Sequence, residues 1–315
     1  MTAKPILSVV TPTRGNFSEY WLEQLLCIQG EVQFVLVFPP GTRYQSFADP
    51  RIKVLQSPYK GEMFQRFVGL LNADGDYVIA LDDDDYLHPE VVATVAAYFQ
   101  RFPDSIVLRL MTDKIDEQNV EAYRRAWEPI PAVSNLSEGK RQAGQLQQLP
   151  IAPLDIPFDK RYLVWPFIER RDDRAPHIEN FNTKVWRNDV VQKSLVEISQ
   201  ATILGGILTW IPRSGFDRLM GLFVQATCFE SGITVGHWMP RPAQVRFISQ
   251  DPALKPPRYH FLSDFLLVKH FPQYGYFWNL FFNKVSYLPR IVGKSLKWKL
   301  QKKTYRTGTP AKEIT

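Results

Sequence analysis

The sequence predicts an α/β protein, a mostly parallel sheet with helices on its faces, and three observations predict it. Short apolar, β-rich runs alternate with helical patterns through the first 110 residues. One of those runs, Tyr77 to Leu81, leads straight into four consecutive acids, Asp82 to Asp85. With 315 residues and 45% apolar side chains, the chain is long enough for one large domain plus an appended segment.

The elements follow in order. Ile6 to Val10 reads as the first strand, Trp21 to Ile28 as a helix, and Val32 to Phe38 and Ile52 to Leu55 as the next strands. A helix is expected around Phe64 to Leu71, then the strand Tyr77 to Leu81. Pro89 then opens an amphipathic helix whose apolar stripe is Val91, Val92, Val95, Ala96 and Phe99. Ile106 to Leu110 closes the series. Asn135 to Gln148, rich in Ser, Gly, Gln and Lys, reads as an exposed loop. Beyond Pro150 the pattern is mixed to about Phe247, with a helix from Leu219 to Phe229 and a strand at Ile233 to Val235, and is expected to complete the sheet.

Charge and cysteines narrow the class. Ten of the 38 Lys and Arg fall between residues 265 and 312, where no acid occurs, so the net charge of +6 belongs to the tail. Cys27 and Cys228 lie far apart and match no metal-ligand spacing, which suggests a reducing, cytoplasmic setting. The N-terminus lacks the apolar core of a signal peptide, and the longest uncharged apolar run, Ala201 to Ile211, is too short to span a membrane.

The acid run carries the chemistry. Four adjacent carboxylates repel one another and need a counter-charge, which a hard divalent cation supplies; Mn²⁺ and Mg²⁺ prefer such oxygens and are commonly shared with substrate phosphates. The run also sits where a strand ends, the edge at which open α/β sheets bind ligands. A solvated acidic turn ahead of a helix is the alternative.

Three stretches together resemble family 2 glycosyltransferases, the inverting group with the Rossmann-like GT-A fold: Leu7 to Asn16, the helix around Arg66, and Gly75 to Pro89 with its Asp-x-Asp-Asp segment. The resemblance implies a nucleotide-sugar donor, UDP- or GDP-linked, and a glycan or lipid-linked acceptor, with no nucleic acid. It implies that Thr11, Pro12, Thr13, Arg14, Arg66, Asp82 and Asp83 meet the nucleotide, that Asp84 with Asp82 holds the metal, and that Asp85 orients the donor sugar. On spacing alone Arg66 equally fits a solvated helix face. It implies a domain at 1–255, with a nucleotide-binding half at 1–110 and an acceptor half at 111–255, followed by a basic, aromatic segment at 256–315. One departure stands out: the aspartate that usually follows the second strand is replaced here by Pro39-Pro40-Gly41-Thr42.

The family's catalytic base comes from a Gly-Glu-Asp segment, and Gly215-Phe216-Asp217 is the nearest match, making Asp217 the candidate; Asp172 and Asp173 are rivals. His237 is a further candidate for the metal shell or diphosphate, and Trp165, Trp186 and Trp210 for a sugar-stacking wall, although lone histidines and aromatics are more often structural. From Phe277 onward, aromatics interleave with unopposed bases. That composition suits an anionic membrane surface, here the inner face, or a helix packed on the domain. Two other functions fit less well: a sugar nucleotidyltransferase, whose Gly-rich loop is absent after the first strand, and an inactive nucleotide-sugar-binding scaffold.

Overall fold

The computed structural model describes residues 4–44, 46–139, 144–164, 179–202, 213–229, 234–249, 261–283, 292–293 and 296. They fall into two units. The first comprises Met1–Ala152 and Arg174–Gln250, the second Pro153–Asp173 and Asp251–Thr315.

A nine-stranded sheet forms the first unit. Its strands are β1 (Leu7–Pro12), β2 (Val32–Phe38), β3 (Ile52–Gln56), β4 (Tyr77–Ala80), β6 (Val107–Arg109), β8 (Glu138–Gly139), β9 (Leu146–Pro150), β10 (Lys184–Arg187) and β11 (Thr234–Trp238), ordered β3-β2-β1-β4-β10-β6-β11-β9-β8. β3, β2, β1 and β4 are all parallel. All six residues of β1 and six of the seven in β2 are buried, the continuous apolar run that a strand covered on both faces requires. β10 breaks the pattern by running antiparallel between β4 and β6, with Val185 paired to both Ile79 and Leu108.

Each helix shows why its sequence stops and starts there. The Ser18 hydroxyl caps α1 (Glu19–Leu26) by accepting from the Trp21 amide at 3.1 Å, and Glu19 sits in the first turn, where the helix dipole favours an acid. α2 (Glu62–Leu71) lies close on the sheet because Gly69 has no side chain: a Cβ there would run into Val10 and Val37. α3 (Val91–Arg101) buries Val91, Val92, Val95, Tyr98 and Phe99. It starts two residues later than Pro89, whose carbonyl instead accepts the Gln29 amide at 2.9 Å. α4 (Val120–Arg124), α6 (Asn188–Thr202) and α7 (Arg213–Thr227) complete the unit.

Two features differ from expectation. The supposed loop at 135–148 contains β8 and the start of β9, with Leu146 fully buried; antiparallel pairing with β11, not local periodicity, makes it a strand, while 140–143 lie outside the described residues. A second, small sheet joins β5 (Tyr86–Leu87), β12 (Val245–Ser249) and β7 (Thr112–Asp116) in the order β5-β12-β7.

The second unit contains α5 (Arg161–Val164), α8 (Phe261–His270) and a helical stretch at 275–283. Phe277 and Leu280, in the stretch that the sequence leaves open between an anionic membrane surface and a packed helix, are 0% and 2% exposed, and Phe282 packs on Phe158 with ring centroids 5.2 Å apart. The Asn279 side chain accepts the Asp159 amide at 2.7 Å and donates to the Pro157 carbonyl at 3.1 Å. These aromatics therefore build a core. Most of the basic run after 283 lies outside the described residues, and no described helix is long and apolar enough to cross a membrane.

Candidate active site

β1 and β4 are parallel neighbours and end at one level, where the Leu81 amide still donates to the Val10 carbonyl at 3.0 Å. The chain then turns, the Asp85 amide reaching the Asp82 carbonyl at 3.2 Å, and this turn presents the four acids. Oxygens of Asp82, Asp84 and Asp85 lie within 4.8 Å of one another. Asp83 serves a different partner: it accepts from the Thr13 hydroxyl at 2.7 Å, and that hydroxyl accepts the Gly15 amide at 2.9 Å. The acid turn is thereby tied to the loop after β1, whose Thr11, Pro12 and Thr13 are buried and whose Arg14 is exposed.

Arg66 settles the question its spacing left open. It is 2% exposed, ion-paired with Asp82 and with Glu62, and donates to the Asn182 side-chain oxygen at 2.9 Å. The face of α2 that bears it points at the acids because Gly69, one turn on, presses that helix onto the sheet.

The remaining acids hold charge with difficulty. Burial pushes the Asp85 carboxyl well above the usual carboxylate range and the neighbouring Asp84 adds to this, against an amide hydrogen bond from Ile248 at 2.9 Å. The Asp84 side chain reaches water at the rim, yet protein atoms around it, and next the charge of Asp83, push it up to about 6. Both shifts mark a deficit of positive charge among hard oxygen donors. A divalent cation fits such a set, and Asp82, Asp84 and Asp85 are the residues that would hold it.

Asp217 lies on the first turns of α7. Its Oδ1 accepts the Asn182 amide at 2.6 Å, and its carbonyl accepts the Phe181 amide at 3.0 Å. Asn182 thus stands between Arg66 and Asp217. The next residue, Thr183, adopts φ +57°, an uncommon conformation for a β-branched residue, held by its amide to the Ala80 carbonyl at 3.3 Å. Asp172 and Asp173 lie outside the described residues, as do Trp165 and Trp210.

Two expectations fall away. Trp186 is no sugar wall: it is fully buried, stacked on Phe181 at 5.2 Å, with its indole N–H on the Phe181 carbonyl. His237 is buried between Tyr98, whose hydroxyl meets Nδ1 at 2.8 Å, and Glu138, which meets Nε2 at 3.3 Å, and it is not in the acid cluster. Sequence reasoning also missed contributors. Gln65 donates to the carbonyls of Thr13 and Val37 at 2.9 and 2.6 Å, clamping the ends of β1 and β2, and Trp21 donates to the Asp85 carbonyl at 2.9 Å. A buried Gln beside Arg66 in an otherwise apolar helix was the available signal; Asn182 gave none.

A cavity of about 280 Å³ beside the β1 loop is lined by Gly15, Phe17, Phe38 and Tyr44, with Phe38 and Tyr44 stacked 5.1 Å apart. A larger cavity, about 930 Å³, lies along α3 and the 130–134 segment at the amino ends of the strands, away from the acids.

Residues 42–158 match the family model described as glycosyl transferase family 2. By that match this stretch is similar to family 2 glycosyltransferases, and it sits in a mixed α/β unit whose large sheet is mostly parallel. The matched segment is less than half of the chain; it contains Arg66 and the four acids and leaves out β1 and Asp217. No curated protein sequence matches. Among solved structures, Staphylococcus aureus TarS 1-349 in complex with UDP-GlcNAc is 15% identical with a TM-score of 0.49, covering 85% of this chain and 67% of that one. The same fragment, TarS 1-349, in a structure whose description names no ligand is 14% identical with a TM-score of 0.44, covering 97% and 93%. These overlaps are too loose to add to the family match.

Proposed function

We propose that the chain is a metal-dependent, inverting glycosyltransferase that moves a sugar from a UDP- or GDP-linked donor to a glycan or lipid-linked acceptor. The observation that supports it is the convergence of Thr13, Arg66 and three crowded carboxylates at one strand end.

In this reading the loop Thr11 to Arg14 and Asp83 seat the nucleoside, and the base enters the slot beside Phe38 and Tyr44 in place of the missing aspartate. Arg66, dry and held in two ion pairs, fixes Asp82 toward the ribose. Asp84 with Asp82 would hold the cation, which would supply positive charge to offset what builds on the leaving diphosphate. Asp85, buried and pinned by the Ile248 amide, faces the donor sugar. The acceptor oxygen forms a bond to the anomeric carbon as the bond to the diphosphate breaks on the opposite face, and its proton passes to a carboxylate. Asp217 is the residue proposed for that proton: its Oδ1 is held by the Asn182 amide, which orients the carboxylate. A cytoplasmic enzyme whose basic tail docks on anionic lipid at the inner membrane face completes the proposal.

Calorimetric titration of UDP and GDP, each with and without Mn²⁺, is the test. Tight binding of one diphosphate only with the metal is expected; equal binding in chelator would refute the metal-dependent reading.

A further inference from the structure

Lys184 on β10, Arg109 on β6 and Trp238 on β11 are in register: Lys184 pairs with Arg109, and Arg109 pairs with Trp238. Residues opposite one another on neighbouring strands project to one face, so the three side chains form a row. The row lies at the sheet edge that carries the acids, since Thr183, next to Lys184, bonds the Ala80 carbonyl at the end of β4.

Every side-chain group in this row is a donor. Lys184 is 7% exposed, and its ammonium donates to the Asn182 carbonyl at 3.0 Å. The half-buried Arg109 guanidinium lies over the Trp238 ring, 4.0 Å from its centroid, and among the described residues its side chain makes no ion pair or hydrogen bond. The Trp238 indole N–H is buried without an acceptor among the described residues. Burial pushes Lys184 down to about 8, with the charge of Asp217 opposing that fall and the charge of Arg109 adding to it. A folded chain rarely leaves a buried indole N–H unmet, because an unmet donor costs the hydration it lost, and the half-buried Arg109 guanidinium lies beside it.

We propose that Arg109 and the Trp238 N–H, with Lys184 adding charge behind them, bind a phosphate group carried by the acceptor. The enzyme would then glycosylate a phosphate-bearing acceptor in preference to a neutral one. Placing the phosphate on the acceptor rests on the proposed function, because the row begins beside Asp217, the candidate base that must face the acceptor hydroxyl. That the row binds an oxyanion does not rest on it.

The bland reading is a packing role, with Arg109 merely covering an aromatic ring. Two calorimetric series separate the two readings, using full-length wild type, Arg109→Met, which keeps the aliphatic stem on Trp238, and Trp238→Phe, which keeps a ring and removes the N–H. With glycerol 1-phosphate as probe and glycerol as control, wild type should bind the phosphate alone. Arg109→Met should weaken it about tenfold, the loss of one charge-assisted hydrogen bond, and Trp238→Phe severalfold. Equal affinity in all three proteins, or equal binding of glycerol, overturns the proposal. With UDP or GDP plus Mn²⁺ as probe the variants should match wild type; a matching tenfold loss there assigns the row to the donor diphosphate and overturns the acceptor assignment. Absence of nucleotide binding in wild type beside intact phosphate binding would sink the proposed function and leave the oxyanion site standing. Affinity for glycerol 1-phosphate should also fall as pH rises through about 8, where Lys184 loses its proton while the probe stays dianionic, and Lys184→Met should flatten that slope. A flat wild-type profile would remove Lys184 from the site.

Discussion

Replacing Asp84 by Asn should stabilise the metal-free protein and weaken its response to metal, two opposite effects of one carboxylate. In the fold Asp84 rises from the usual 3.8 to about 6. An acid whose folded value is raised destabilises the fold above that value and has no effect once it is protonated in both states. The penalty is thus full above about pH 6 and gone below about pH 4. Taken whole, the shift amounts to about 3 kcal/mol; water at the exposed side chain screens it to about 1 kcal/mol, or about 2 °C in Tm for a chain of this size. Thermal unfolding in chelator should therefore place Asp84→Asn about 2 °C above wild type at pH 7.5, with no difference near pH 4. With saturating Mn²⁺ at pH 7.5 the order should reverse, because wild type keeps the full ligand set and gains binding free energy that the variant forfeits. Wild-type affinity for Mn²⁺ should fall about tenfold between pH 7 and pH 5 as Asp84 takes up a proton. A wild type whose unfolding ignores Mn²⁺, or a variant no more stable than wild type in chelator, would refute the reasoning.

Arg66→Met should lower stability by roughly 3 kcal/mol, since it leaves Asp82 and Glu62 facing each other without their shared cation; denaturant unfolding measures this, and a loss under 1 kcal/mol would show that the pairs are weak. Asp217→Asn keeps an oxygen for the Asn182 amide and should preserve Tm and donor affinity while reducing transfer at least a hundredfold; Asp217→Ala should also lower Tm, and near-normal turnover in the Asn variant would move the base elsewhere. A protein ending at Asn283 retains the buried Phe277 and Leu280 and should fold, yet should lose co-sedimentation with anionic vesicles at low salt; equal sedimentation of truncated and full-length protein would count against a membrane-binding tail.

Local chemistry made half of this molecule readable. Strands such as Val32–Phe38 are apolar runs bounded by turns, and the acids after β4 announce themselves by mutual repulsion. What stayed hidden depends on partners distant in sequence. β5 is two residues long, and β7, Thr-Asp-Lys-Ile-Asp, has little apolar character; both exist because β12 pairs with them. The burial of Arg66 follows from Gly69 packing on Val10 and Val37, and Asn182 reaches Arg66 only because β10 inserts antiparallel beside β4. The tail stayed open between lipid and a packed helix for the same reason: aromatics among bases suit either, and Phe158 and Pro157, more than a hundred residues away, supply Phe282 and Asn279 with a core.

The inserted strand also links the two residues proposed to face the donor and the acceptor. Asn182 receives Arg66 on its side chain and gives its amide to Asp217, so in the proposed reading a donor that shifts the guanidinium also alters the seat of the carboxylate beyond. Coupling of this kind is reciprocal: whatever factor the nucleotide applies to acceptor affinity, the acceptor applies to nucleotide affinity. On that proposal, the three consecutive residues Asn182 to Lys184 are the crossing through which donor and acceptor sites communicate.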